Sequence, residues 1–216
     1  TTISVAELTI GLMLSLIRDI PRADRGMKAG EWLKKELVGT ELYGKTLGLI
    51  GIGHIGQAVA ERVKAFGMRV IATARTRSPE MIRAAGAEPV SFEELLQQAD
   101  IISLHVPHTE ATHYLIDAKA IDKMKDDALV ICAARGGVIE EEALLTALNN
   151  GKLGGAALDV FETEPPGENP LVFHPKVIAT PHIGAQTKEA QLRAAYDIVA
   201  EVVNALEGKP LRWKIV

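Results

Sequence analysis

The sequence is poor in cysteine, because its 216 residues include only Cys132. A single cysteine cannot form a disulfide within the chain, and without a second cysteine there is no cysteine-based zinc site. Disulfides are typical of secreted proteins. We therefore predict that the protein has no metal site and works in a reducing cytoplasm.

Long apolar runs are also lacking. The most apolar segment, LTIGLMLSLI at 8–17, is too short to cross a bilayer. It also lacks the basic segment that precedes the apolar part of a secretory signal. We predict a helix here that is buried or packs against a second copy of the chain.

An excess of positive charge is absent as well. The 24 Lys and Arg residues are outnumbered by 28 Asp and Glu, which gives a net charge of −4. Such a chain carries no electrostatic footprint for nucleic acid or for an anionic membrane, so we expect a small-molecule partner. With 47% hydrophobic residues the chain is long enough to bury one large core, and we predict one domain.

The pattern of predicted elements changes at Lys45. Before it we predict a helix over 4–19, Pro21 as a stop or kink, and a second short helix that carries Trp32. After it, short apolar strands alternate with amphipathic helices, which predicts an α/β fold: a doubly wound parallel sheet with helices on both faces. The predicted strands are TLGLI, RVIATA, DIISL, ALVICA, GAALDV and KVIAT. The predicted helices lie near 55–66, 79–85, 91–99, 117–124, 140–149 and 187–207, and the last six residues, LRWKIV, read as the start of a strand or linker.

A glycine-rich turn follows the first predicted strand. The sequence GIGHIG at 51–56 stands between TLGLI and the helical run QAVAERVKAF. In that context Gly51 permits a tight turn, Gly53 lets a pyrophosphate approach the backbone, and Gly56 lets the helix pack closely on the strand. The positive end of the helix then faces the phosphates. The motif predicts a Rossmann-type dinucleotide site.

The second predicted strand lacks the acid that NAD-binding chains usually place at its end. No Asp or Glu occurs from 62 to 79. An acid there would accept hydrogen bonds from the adenosine ribose and repel a 2′-phosphate. Ala74 is followed instead by Arg75, Thr76 and Arg77, which suit a phosphate monoester. Two arginines are also what an exposed, solvated loop carries, so NADP is the predicted cofactor and NAD the alternative.

Three further segments follow predicted strands at the sheet edge where parallel α/β proteins bind ligands. They are AARGG at 133–137, LDVFETEP at 158–165 and TPHIGA at 180–185. An arginine, an acid and a histidine can converge there although they are distant in sequence. Hydride transfer at a 2-hydroxy acid needs such a set: a cation for the carboxylate, a base for the hydroxyl proton and an acid that tunes the base.

These motifs, in this order, resemble the D-2-hydroxyacid dehydrogenase family, in particular its 3-phosphoglycerate dehydrogenase and hydroxypyruvate or glyoxylate reductase branches. The resemblance runs from Ile3 to about Pro210 and includes SVAELTIGLMLSLIR, ARGGVIEEEAL, GGAALDVFETEPP and TPHIGAQTKEAQ. It implies an NAD(P)-dependent oxidoreductase that moves a hydride between nicotinamide and a D-2-hydroxy or 2-keto acid. It also implies that Arg135 binds the substrate carboxylate, that His182 is the general acid/base and that Glu164 is its partner.

The resemblance and the glycine turn together imply a set of cofactor contacts. The expected contacts are Gly51, Gly53, His54, Ile55, Gly56, Ala74, Arg75, Thr76, Arg77, His105, Val106, Pro107, Thr112, Ala133, Ala134, Arg135, Asp159, His182, Gly184 and Ala185. The carboxylate of Asp159 is expected near the nicotinamide, where it could accept from the carboxamide.

The chain departs from the family pattern at three positions, which leaves its fine substrate preference open. Cys132 stands where Asn is usual, His54 where Arg is frequent, and Gln186 where Ser is frequent. The remaining histidines follow no metal-ligand spacing, and we interpret them as loop or core residues: His105, His108, His113 and His174.

We expect residues 1–216 to form the dinucleotide-binding domain, with a helical hinge and dimer arm at 1–44, a Rossmann core at 45–185 and a closing helix at 186–208. The substrate domain of the family is expected to be missing, so the chain alone should bind cofactor and turn over poorly. The resemblance also implies a twofold dimer contact through the first helices and the neighbouring arm, and the run at 8–17 is apolar enough to need covering. Two alternatives stay open: a nucleotide-sensing corepressor of the same family, and a methyltransferase, whose glycine turn is typically followed by an acid.

Overall fold

The computed structural model describes residues 1–212 and contains a seven-stranded sheet in which every pairing is parallel. The strands are β1 (Thr46–Ile50), β2 (Arg69–Thr73), β3 (Glu88–Pro89), β4 (Ile101–Leu104), β5 (Ala128–Cys132), β6 (Leu153–Leu158) and β7 (Val177–Ala179). Their order across the sheet is β3-β2-β1-β4-β5-β6-β7. The order reverses between β1 and β4, which confirms the doubly wound Rossmann-type sheet and places the ligand crevice beside β1.

Helices connect the strands. They are α1 (Thr2–Ile17), α2 (Ile20–Lys28), α3 (His54–Val63), α4 (Pro79–Ala84), α5 (Phe92–Gln98), α6 (Ala118–Asp122), α7 (Glu141–Asn149), α8 (Pro170–Phe173) and α9 (Lys188–Leu206). Two single 3₁₀ turns lie at Lys64–Phe66 and Glu110–Thr112. No helix within residues 1–212 is both long and apolar enough to span a membrane.

Alternating strand residues build two hydrophobic cores, one on each face of the sheet. In β4, Ile102 and Leu104 belong to the core that includes residues of α5, α6 and α7, whereas Ile101 belongs to the core that includes α1, α3 and α4. This alternation is the period of two expected of strands. Because both faces are covered, the strands read as short, almost continuously apolar runs.

The sequence pattern predicted most elements correctly and missed the shortest ones. All six predicted strands are present, but β3 and α8, with two and four residues, were not anticipated. Helix α5 begins with a capping box, in which Ser91 Oγ accepts from the Glu94 N–H at 3.2 Å and Glu94 Oε2 accepts from the Ser91 N–H at 2.8 Å.

The prediction of a second helix around Trp32 is wrong. Helix α2 ends at Lys28, and Gly30 follows with a positive φ of 78°. Trp32 lies in the irregular segment beyond it and is 76% exposed. The predicted stop or kink near Pro21 is present, because α1 ends at Ile17 and Pro21 sits in the first turn of α2, where its missing N–H leaves no hydrogen bond unmade.

The apolar run at 8–17 does not need a second chain to cover it, so this part of the argument for a dimer contact is wrong. Helix α1 packs on α3 and on strands β5, β6 and β7 of the same chain. It buries Ile10, Leu12, Met13 and Ile17, so most of this apolar run is covered without a partner. Apart from Ile3 near its start, the exposed large apolar side chains of the N-terminal segment lie further along the chain, between Ile20 and Tyr43.

Helix α9 extends the fold at its C-terminal end. Only Ala190 of this helix is buried, and Gly208, with φ 69°, follows its end. The prediction of a strand or linker over 211–216 lies mostly outside the described residues, because 213–216 are not among them.

Candidate active site

The glycine turn connects β1 to α3 at the carboxyl edge of the sheet. Gly51 has a φ of 98°, and its N–H donates to the Thr73 carbonyl at 2.9 Å. A Cβ atom at Gly51 would overlap the carbonyl of His105, and one at Gly56 would overlap the carbonyl of Gly51. Both glycines are therefore needed for close packing of turn, helix and neighbouring loop.

Gly53 has a different surrounding from the other two glycines. It is the N-cap residue of α3, no side chain caps this helix end, and no atom lies within 4 Å of the place its Cβ would take. The first N–H groups of α3 thus face open space, with His54 and Ile55 in the first turn. A diphosphate fits this surface, since free helix N–H groups and the helix dipole attract anions.

A cleft of about 440 Å³ lies beside this turn. The predicted contacts that line it are Gly51, Gly53, Ala74, Arg75, Thr76, Arg77, His105, Val106, Pro107 and Thr112. Sequence reasoning missed the rest of the wall: Ile50, Ile52, Thr73, Phe92, Thr109, Ala111 and Leu115. Their only signal was their position, because all of them except Phe92 lie within three residues of a predicted contact. The cleft combines apolar side chains with a cationic end, a composition that suits an adenosine and its phosphates.

The cationic end of the cleft is formed by Arg75 and Arg77, which are exposed. Neither guanidinium forms an ion pair with a carboxylate among residues 1–212, whereas Arg69 nearby pairs with Glu88 at 2.7 Å. The two arginines are therefore available to an anionic ligand.

His105 lies beneath the glycine turn as a neutral side chain. Burial lowers the pKa of its imidazole to about 4, and its Nε2 shares a hydrogen bond of 3.0 Å with Ser103 Oγ. Its Nδ1 is buried without a hydrogen-bond partner among the described residues. His105 thus contributes shape and packing to the cleft and no charge.

The loops after β5 and β6 meet through backbone contact. A Cβ atom at Gly136 would overlap the carbonyl of Phe161, so only glycine allows this approach. Ala133 and Ala134 are buried at the start of the first loop, and Arg135 projects from it with its Nη1 donating to the Ala134 carbonyl at 2.6 Å. The close approach places Arg135 beside the segment that carries Glu164.

His182 and Glu164 form a direct pair. His182 Nδ1 lies 2.7 Å from Glu164 Oε2, and Glu164 Oε1 accepts from the Phe161 N–H at 3.1 Å. Burial by itself raises the pKa of the Glu164 carboxyl, but the two hydrogen bonds and the charges of His182 and Arg135 outweigh it, so the net pKa is lowered. Because an ionised carboxylate only accepts, Nδ1 of His182 carries the proton and Nε2 takes no part in the bond to Glu164.

The turn that carries His182 wraps around a buried aspartate. Asp159 follows β6 and is 1% exposed. Its carboxylate accepts from the Thr180 hydroxyl at 2.6 Å and from the N–H groups of Ile183 and Gly184, each at 2.8 Å. His182 itself has a φ of 53°, a left-handed conformation that costs a non-glycine residue about 1 kcal/mol.

A second and larger groove, of about 1070 Å³, lies at the opposite edge of the sheet. It is lined by residues at the beginnings of β4, β5 and β7, such as Ile101, Ala128 and Val177, and contains none of the predicted site residues. Within residues 1–212 no group of three or more His, Cys, Asp or Glu side chains is arranged to hold a metal ion.

The sequence also matches a known protein family. The family described as D-isomer specific 2-hydroxyacid dehydrogenase, NAD binding domain, matches residues 10–184. The D-3-phosphoglycerate dehydrogenase of Methanocaldococcus jannaschii is 52% identical over 210 residues, which cover 97% of this chain and 40% of the relative. The hydroxypyruvate reductase of Thermotoga maritima is 48% identical over 206 residues, which cover 94% of this chain and 66% of that protein.

A solved structure, the glyoxylate reductase from Paecilomyes thermophila, superposes with a TM-score of 0.91 at 38% identity and covers 97% of this chain and 64% of its own. The chain thus spans about 40% of the length of the phosphoglycerate dehydrogenases that it matches. These relatives are named as dehydrogenases and reductases, and nothing in the comparisons supports the corepressor alternative. The chain belongs to the D-isomer specific 2-hydroxyacid dehydrogenase family and is an NAD-binding domain of that family.

Proposed function

We propose that the protein transfers a hydride between a nicotinamide cofactor and a small D-2-hydroxy or 2-keto acid, with 3-phosphoglycerate, glyoxylate and hydroxypyruvate as the candidate substrates. The observation that supports this most directly is the 2.7 Å contact between His182 and Glu164 at the sheet edge that also carries the glycine turn. The candidate substrates rest on the names of the relatives alone.

In this proposal the nicotinamide accepts or donates the hydride. Arg135 binds the substrate carboxylate through its guanidinium group. His182 Nε2 takes the hydroxyl proton when the hydroxy acid is oxidised and returns a proton to the carbonyl oxygen when the keto acid is reduced. Glu164 holds the imidazole by its Nδ1–H and stabilises the imidazolium that forms. Gly184, Ala185, Ala133 and Ala134 flank these groups and are proposed to contact the nicotinamide side of the cofactor.

We further propose that the cofactor is NADP. The support is the absence of an acid after β2, together with two arginines that have no carboxylate partner among the described residues. Each charge-assisted hydrogen bond to a 2′-phosphate is worth about 1.5–3 kcal/mol, which corresponds to about 10–100-fold in Kd. NAD remains the alternative.

Titration of the chain with NADPH, NADH and S-adenosylmethionine tests both proposals. We expect NADPH to bind most tightly and S-adenosylmethionine not to bind. The double variant Ala74→Asp/Arg75→Ala should reverse the preference toward NADH, whereas Arg83→Ala, which removes an exposed arginine outside the cleft, should leave it unchanged. A ratio of the two affinities that the double variant does not alter would refute the NADP assignment.

Substrate turnover by this chain is expected to be slow. The side chains of His182 and Glu164 are 47% and 37% exposed, so water competes for every polar contact that a closed cleft would strengthen. We expect cofactor binding without efficient reduction of glyoxylate or hydroxypyruvate. A turnover number typical of dehydrogenases, about 1–1000 per second, would contradict this.

We also propose that the chain is organised as an arm (1–44), a Rossmann core (45–185) and a closing helix (186–208), and that the arm forms a twofold dimer. The support for the dimer is a group of large apolar side chains that the arm leaves exposed: Ile20, Met27, Trp32, Val38 and Tyr43. Light scattering should give the mass of two chains, and Trp32→Ser should lower it. A single-chain mass for the unaltered protein would contradict the dimer.

A further inference from the structure

We propose that Asp159 is a positioning residue whose carboxylate holds the turn that carries His182, so that the imidazole meets Glu164. This inference rests on the proposed function for the role of His182, but the geometry behind it involves no cofactor. It assigns to Asp159 a structural task that the sequence did not suggest.

The carboxylate of Asp159 gathers three donors from one short turn. Its Oδ1 accepts from the hydroxyl of Thr180 and from the N–H of Ile183, and its Oδ2 accepts from the N–H of Gly184. Two successive N–H groups that follow a left-handed residue form a small anion-binding concavity, and here the anion is a side chain of the same protein. His182 is the left-handed residue, placed between the hydroxyl donor and the two amide donors.

All three partners of Asp159 are donors, so the site requires an acceptor on both oxygens. An asparagine has the same shape, but its amide nitrogen only donates. In Asp159→Asn an amide NH₂ group replaces either Oδ1 or Oδ2. In both cases this donor faces a backbone N–H, which is also a donor, so no hydrogen bond can form. Asp159 is therefore required because both of its oxygens accept hydrogen bonds. A side chain of the same shape and volume, such as asparagine, does not meet this requirement.

The other side of the turn is closed by helix α1. Ser4 Oγ and Thr187 Oγ1 lie 2.8 Å apart, and a Cβ atom at Gly184 would stand 3.1 Å from Asp159 Oδ2 and 3.3 Å from a methyl of Val5. The backbone at Gly184 is thus held between the carboxylate and α1. Removing the carboxylate leaves the turn with contact on one side only.

The position of the His182 ring depends on this turn. Within the described residues the ring makes one hydrogen bond, to Glu164, so the backbone of the turn must hold the ring where that bond can form. The lowered pKa of Glu164 arises in part from that bond and from the charge of His182. The pKa of Glu164 therefore reports whether His182 is in place. A substitution that lowers the stability of the fold but leaves the turn intact should not change the pKa of Glu164.

The test compares four variants of this chain without cofactor. The readouts are the Glu164 pKa, from the carboxyl ¹³C shift, and the amide exchange rate of Gly184, both by NMR. We expect Asp159→Asn to raise the pKa of Glu164 and to speed Gly184 exchange about 10-fold or more. Thr180→Val should act in the same direction more weakly, and Thr180→Ser, which keeps the hydroxyl, should match the unaltered chain.

The matched control is Asp100→Asn. Asp100 also accepts from a backbone N–H, that of Thr46 at 2.7 Å, but at the opposite edge of the sheet. It should leave both readouts unchanged. If Asp159→Asn folds and leaves the Glu164 pKa and the Gly184 exchange rate unaltered, the proposal is overturned. If Asp159→Asn does not fold, the proposal is overturned when Thr180→Val leaves both the Glu164 pKa and the Gly184 exchange rate unaltered.

A parallel titration with NADPH separates this proposal from the proposed function. Failure of the unaltered chain to bind either NADPH or NADH would refute the proposed function and leave the Asp159 readouts standing. If Asp159 acted only by accepting from the nicotinamide carboxamide, Asp159→Asn would weaken NADPH binding with no change in the Glu164 pKa, and that result would overturn the positioning role.

Discussion

Replacing Gly53 by alanine should abolish tight cofactor binding while leaving the fold intact. Gly53 has a φ of −73°, which alanine adopts without strain, and its Cβ would enter open space. Alanine is a poorer N-cap than glycine by about 0.5–1 kcal/mol, but it reduces the entropy of the unfolded chain by about 0.4–1 kcal/mol. The two effects offset each other, so the free energy of unfolding should change by less than about 1 kcal/mol.

The effect on binding should be much larger than the effect on stability. The added methyl group would stand where we propose that a diphosphate approaches the first N–H groups of α3. Loss of one charge-assisted hydrogen bond costs about 1.5–3 kcal/mol, so the Kd for NADPH should rise about 10–100-fold. Fluorescence titration with NADPH gives the Kd, and urea unfolding gives the stability.

Gly56→Ala is the matched comparison, because its Cβ would overlap the carbonyl of Gly51. Overpacking of this kind costs about 1–3 kcal/mol, so this variant should unfold at lower urea. Gly53→Ala and Gly56→Ala thus separate ligand approach from packing within one motif. A Gly53→Ala chain that binds NADPH as tightly as the unaltered one would refute the assignment of the diphosphate to this turn.

Three further predictions concern other parts of the chain. Burial raises the pKa of the Cys132 thiol to about 11, so native protein at pH 8 should not react with a thiol reagent, whereas unfolded protein should react at once. The pKa of Glu164 is lowered in the folded chain, so the ionised carboxylate stabilises the fold at pH values above its ordinary pKa of 4.5. This contribution is lost as the pH falls. In acid titrations the free energy of unfolding of Glu164→Gln should therefore fall less steeply below about pH 5 than that of the unaltered chain. Removal of the capping box by Ser91→Ala should cost about 1 kcal/mol in urea unfolding, and retention of full stability would contradict the cap.

The sheet could be predicted from the sequence because each strand is a short apolar run with its own turn signals. A doubly wound sheet then brings the ends of β5, β6 and β7 to one edge, which is why Arg135, Glu164 and His182 could be grouped before any coordinates were known. The glycine turn was predictable for the same reason, since GIGHIG lies between a strand and a helix.

What the sequence could not supply were contacts made by the backbone. The N–H groups of Phe161 and Ile183 carry no sequence signal, so their bonds to Glu164 and Asp159 emerge only in three dimensions. The predicted short helix that carries Trp32 is absent, because α2 ends at Lys28 and Gly30 follows it in a left-handed conformation. The buried state of α1 was open in the sequence, since an apolar run of ten residues serves a core and an interface equally well.

The central claim is that a nicotinamide dinucleotide lies with its diphosphate on the turn at Gly53 and its reactive ring at His182. The most direct test is NMR of the labelled chain with NADPH. We predict amide shift changes concentrated at 51–56 and a nuclear Overhauser effect between the C4 protons of the nicotinamide and the His182 ring. Shift changes confined to the groove at the opposite edge of the sheet, with no contact at His182, would contradict the claim.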